Sequence, residues 1–175
     1  MRLFTISALA GAALLLAHPV AAQVPTPAPA GGTPDRMPFA IPYGPSITAA
    51  RAARVVDAVL AEAAKHPSWA FAISVVDPHG ELVYFYRMDD VQYASIAISQ
   101  GKARTAARFR RESRVFYNAE ESGHPYVSTL DPGLVASPGG FPLVENGHII
   151  GAVGCSGGTG DQDATVCKAG AESIR

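Results

Sequence analysis

Lys102 is the residue whose position asks most plainly for a chemical explanation. On a helix turning about 100° per residue it falls with Ile98, Thr105 and Phe109, while Arg104, Arg108 and Arg111 share the opposite side. An ammonium on an apolar stripe must snorkel to water, meet a counter-charge or face a cavity. Around it, Lys102, Arg104, Arg108, Arg110, Arg111 and Arg114 form a basic run whose only acid is Glu112. Such a run is a solvated face or a dock for carboxylates, and the carboxylate reading suits Arg87-Met88-Asp89-Asp90 as well. There an arginine stands at the rim where a strand meets a helix. The plainer reading of that segment is a helix cap with a charged rim.

Gly154-Cys155-Ser156-Gly157-Gly158 matches G-x-S-x-G. A serine nucleophile on such an elbow needs a histidine later in the chain, and none follows His148, so hydrolase chemistry is set aside. Backbone N–H groups at this turn and at the start of the next helix are instead expected to hold an anionic ligand group. No H-x-x-x-H or C-x-x-C spacing specifies zinc. His124, in the loop Ser122-Gly123-His124-Pro125-Tyr126, is the one candidate metal ligand, because long loops tend to carry function. Cys155 and Cys167 either form a disulfide or pack as two buried thiols.

Several elements must position these residues. Ser46 to Lys65 reads as a helix with Ala52, Val55, Val56, Val59 and Ala63 on one stripe, capped by Ser46 or Thr48 and ended by Pro67. Trp69–Asp77 and Glu81–Arg87 read as a hairpin around Asp77-Pro78-His79-Gly80. A helix over Ala94–Arg111 follows, then a short helical piece near Arg114–Glu121 and a loop over His124–Gly140. Phe141–Glu145 and His148–Cys155 form a second hairpin around Asn146-Gly147, and a helix over Asp161–Ile174 closes the chain, capped by Thr159 or Asp161. Hairpins without βαβ crossovers predict an α/β (α+β) fold: a mostly antiparallel sheet of about five strands flanked by helices, in the order α-β-β-α-β-β-α.

With 175 residues, 48% of them hydrophobic, and a net charge of −1, the chain has one domain's worth of core and no global field for nucleic acid. The segment 1–45 holds most of the prolines and only three charges, Arg2, Asp35 and Arg36. Met1-Arg2, an uncharged run from Leu3 to Ala17, and Val20-Ala21-Ala22 predict a signal peptide over 1–22, and 23–45 reads as a proline-rich linker. The expected location is periplasmic or secreted, without stable membrane insertion, because the apolar run is shorter than a spanning helix and ends at proline.

The Arg87-Met88-Asp89 strand end, Lys102-Ala103 with Thr105-Ala106, Gly139-Gly140-Phe141-Pro142-Leu143, and Gly147 through Gly158 followed by Gln162-Asp163 occur in the order seen in GlcG/HbpS-like domains. The resemblance spans about residues 48–174, and the domain is assigned to 46–175. The C-terminal domain of PduO-type proteins is similar. The resemblance implies a sheet flanked by helices, assembly into homo-oligomers, and a haem or other small-molecule ligand, with roles in haem handling or redox sensing. It carries over a candidate cofactor-binding set of Arg87, Asp89, Lys102, Thr105, Gly140, Ser156, Gly157 and Gly158. Asp90 stands where glycine is common and Cys155 where valine is common. A second reading makes the chain an enzyme acting on a small carboxylated substrate through Lys102 and Asp89. A third makes it a structural oligomerisation domain. With no nucleophile–base pair in the sequence, binding is preferred to catalysis.

Overall fold

The computed structural model describes residues 41–174, so the expected signal peptide and most of the expected linker lie outside the described residues. The elements run α1 (Ala49–Ala63), β1 (Ala72–Val76), β2 (Leu82–Arg87), α2 (Ala94–Phe109), α3 (Arg114–Glu121), a 3-10 turn (Pro125–Thr129), β3 (Gly140–Glu145), β4 (His148–Ser156) and α4 (Gly160–Glu172). The sheet has four strands in the order β2-β1-β4-β3, all antiparallel, rather than about five. The two predicted hairpins supply every strand. They join through β1 and β4, so no further strand is needed to make a continuous sheet.

The two faces of this sheet differ in side-chain size, and that difference sets the layers. Ile73, Val75, Phe141, Leu143 and Val153 point to one face and pack with Val55, Val56 and Val59 of α1 and Val166 of α4. The other face carries Ala72, Ser74, Val76, Gly140, Ala152, Gly154 and Ser156, which lie opposite one another in register. Only small residues let α2 come this close. A Cβ on Gly154 would strike the Ser99 carbonyl and lie 2.5 Å from the Ala103 nitrogen. Across that contact the hydroxyls of Ser74 and Ser99 lie 2.8 Å apart, and Ser156 donates to Ser95 at 3.1 Å, so the buried polar groups are satisfied.

Local signals explain the ends. Thr48 caps α1, accepting from the Arg51 N–H. Thr159 caps α4 in a reciprocal capping box with Gln162. Asn146 and Gly147 both have positive φ, 48° and 76°, as a type I′ turn requires. One boundary moves. The end of the expected linker belongs to the domain: Gly44 donates to the Ile149 carbonyl and Ile149 to the Pro42 carbonyl, both at 2.8 Å. The Tyr43 hydroxyl donates to the Arg108 carbonyl at 2.8 Å. These bonds continue β4 beyond the end of β1, so this short stretch is held by backbone pairing that proline content alone does not reveal.

Candidate functional site

The glycine turn after β4 is an anion cradle, and the anion is the chain's own Asp163. Gly157 and Gly158 donate their N–H groups to Asp163 Oδ1 at 3.0 and 2.9 Å. The other oxygen, Oδ2, accepts from Lys102 Nζ at 2.6 Å. Both side chains are almost wholly buried, 2% and 3% exposed. Burial pushes the Lys102 ammonium down from its ordinary value and the Asp163 carboxyl up, because each charged form loses water. The opposite charge works against both shifts, and the two backbone N–H groups work against the shift of Asp163.

The sequence puts Lys102, Gly157 and Gly158 in the candidate set, whereas Asp163, the carboxylate that joins them, enters only as part of the family resemblance. A signal was present: Asp163 shares a helical stripe with Val166, Cys167 and Gly170, all buried, so it was as misplaced by polarity as Lys102. Cys155 and Cys167 are joined in a disulfide, with Cα atoms 5.5 Å apart. Cys167 lies one turn beyond Asp163, so the bridge and the ion pair hold the same face of α4.

The remaining interior candidates are also occupied. Thr105 donates to the Gly101 carbonyl at 2.8 Å and accepts from the Val135 N–H at 2.9 Å. The Gly140 N–H donates to Ser113 Oγ at 2.9 Å, and a Cβ there would strike the Lys102 carbonyl. Ser156 is 3% exposed and bonded to Ser95. The basic run dissolves in the same way. Arg108 pairs with Asp131 and Arg114 with Asp161, each at 2.8 Å. Arg104 reaches the Gly80 carbonyl at 3.4 Å, Arg110 lies over the Tyr43 ring and Arg111 over the Phe116 ring. The expected carboxylate dock is therefore filled from within the chain.

Arg87 and Asp89 are elsewhere. In register Arg87 opposes Ala72 and Phe85 opposes Ser74, so both point to the α2 side of edge strand β2. Arg87 is exposed and lies 5.8 Å from the centroid of Tyr93, itself 81% exposed. Asp89 is exposed just past the strand end. Thus the structure separates the candidate set into a closed interior group and an open rim. His124 is exposed at the start of the 3-10 turn, against Ser122 Oγ at 3.3 Å and the Tyr126 ring. Among the described residues no group of three or more His, Cys, Asp or Glu could hold a metal ion, and no helix is long and apolar enough to cross a membrane.

A four-stranded antiparallel sheet with one helix pressed on a small-residue face, two on the other, and a self-filled glycine cradle defines an α+β domain. The family model described as "Haem degrading protein HbpS-like" matches residues 47–172, and this chain belongs to that family. Protein GlcG of Escherichia coli K12 is 42% identical over 95 residues, covering 54% of this chain and 70% of GlcG. The crystal structure of HbpS matches with a TM-score of 0.69 at 23% identity, covering 75% of this chain and 92% of that one. The crystal structure of a PduOC–haem complex matches with a TM-score of 0.68 at 23% identity, covering 74% and 96%.

Proposed function

We propose that this protein is exported and binds haem outside the cytoplasm, with Arg87 taking a propionate. The observation that carries the reading is the open rim of β2, where a guanidinium and an exposed tyrosine ring stand without a helix's side chains between them and solvent. Family membership supports it, as does the similarity in fold to a domain crystallised with haem. The residues fit the group. Half-buried Phe85 and the Tyr93 ring offer apolar surface to a flat macrocycle, and Arg87 offers a planar fork of donors to a carboxylate. Bound haem would supply an iron centre open to axial ligation and redox chemistry. The chain's own part is to cover the ring, pair its propionate and exclude water. Enzymatic use of Lys102 is not favoured, because its side chain is buried and held on Asp163.

Titration of the purified mature protein with haemin should produce a Soret band, and Arg87→Ala should weaken binding by about tenfold, the low end for a charge-assisted bond at an exposed site. No Soret change, or equal affinity in Arg87→Ala, would overturn the assignment. A changed Soret maximum in His124→Ala would make that imidazole the iron's ligand. Mass spectrometry of the secreted protein should find a start near Gln23, whereas intact Met1 would count against export. Homo-oligomer formation belongs to the same proposal and is read by light scattering.

A further inference from the structure

The opposite side of β2 carries a different chemistry. Tyr86 opposes Ile73 and so faces the α1 side, away from Arg87. There a cleft of about 520 Å³ is walled by Leu60, Trp69, Tyr86 and Met88 and rimmed by Asp89 and Asp90. Trp69 is a fixed wall: the His66 ring stacks on it at 3.8 Å, 10° from parallel, and Phe71 meets it edge-on at 6.1 Å. Met88 is fixed too, its sulfur accepting from the Phe71 N–H at 3.3 Å. Neither aspartate makes a hydrogen bond or ion pair among the described residues, and no lysine or arginine lines the cleft.

We infer that this cleft binds a small organic cation of the quaternary-ammonium or alkylamine class. Its charge complementarity is one-sided. Two unpaired carboxylates at the mouth repel an anion and attract a cation, while two aromatic side chains, an aliphatic wall and a thioether wall favour one that is weakly hydrated. A metal ion, which needs converging oxygen ligands rather than aromatic walls, fits it poorly. The site goes beyond the haem reading and shares no side chain with Arg87, Phe85 and Tyr93, on which that reading rests.

Trp69 is the chain's single tryptophan, so its fluorescence reports this cleft directly. Choline is the probe, and 3,3-dimethylbutan-1-ol, its uncharged isostere, is the control. Choline should change Trp69 emission saturably in the low-millimolar range and the alcohol should not. The double variant Asp89→Asn, Asp90→Asn should weaken choline by about tenfold, with an unchanged melting temperature. Asparagine tolerates the positive φ of 62° at position 90, and both side chains are exposed, so the variant should fold. Equal responses to choline and the alcohol, no saturable response to choline, or full affinity in the double variant would each overturn the assignment. None of these outcomes depends on whether haem binds.

Discussion

The interior of the glycine turn and the rim of β2 each combine a basic side chain with aspartate and do opposite things. Inside, lysine, aspartate and backbone N–H groups are each consumed by the others. At the rim, arginine, two aspartates and a tyrosine have no such closed circuit. The difference lies in how many elements converge on each place. The turn sits where α2, β4 and α4 meet, and a charge there must be neutralised inside the fold because water cannot reach it. The rim belongs to an edge strand and a loop, so its charges stay hydrated until a ligand arrives. Residue type proposes chemistry, and solvent access decides whether that chemistry is offered to a ligand or spent on the fold.

The sharpest way to break this comparison is to remove one charge from each place. Lys102→Met leaves Asp163 buried without its cation, and the expected cost is about 3–5 kcal/mol of stability. Arg87→Ala at the exposed rim should cost within about 0.5 kcal/mol. The double variant Lys102→Met, Asp163→Asn should regain most of the loss, because the amide oxygen still accepts from Gly157 and Gly158 while no charge is left buried. Chemical denaturation of the three proteins measures this. Comparable losses at Lys102 and Arg87 would erase the distinction.

The disulfide tests the same face of α4 by covalent means. Its closed loop spans a separation of 12 residues. For a loop of this length, losing the bridge should cost about 3 kcal/mol, measured as the midpoint difference with and without reductant. Ellman titration of denatured, unreduced protein should find no thiol at Cys155 or Cys167; two titratable thiols would remove the bridge from the account.

The smallest effect concerns an ion pair of intermediate exposure. Arg51 grips Glu145 with both terminal guanidinium nitrogens, and this hydrogen bonding holds the Glu145 carboxyl below its ordinary value of 4.5. A depressed folded-state pKa gives stability that is present above the unfolded value and lost as pH falls through the folded one. Glu145→Gln should therefore lower the melting temperature slightly at pH 7, and the gap to the wild type should close as pH falls below about 4.5. A gap that persists in acid would assign the effect to packing.

Much of the fold could be read along the chain because its signals are local. The stripe of Val55, Val56 and Val59, the Asn146-Gly147 turn and the Thr159 cap each depend on neighbours within a few residues, and each appears where the pattern put it. The strand number was overestimated, because hairpin signals specify pairs and not how pairs join. The docking of residues 42–44 on Ile149 was missed for a related reason: a proline-rich stretch carries no periodicity, and its partner is about a hundred residues away.

The candidate site was legible only in part. The sequence by itself determined that Lys102 must find a partner or a cavity, that the turn at Gly157-Gly158 presents N–H groups to an anion, and that Arg87 ends a strand. Only the tertiary structure decided that these demands answer one another, with Asp163 as the shared anion 61 residues from Lys102, and that Arg87 is left facing solvent. The physical reason is that charge pairing and burial depend on distance in space. Helix and turn preferences act within a few residues and can be read from a string, whereas the contact that neutralises a buried charge exists only after the sheet has brought α2 and α4 together.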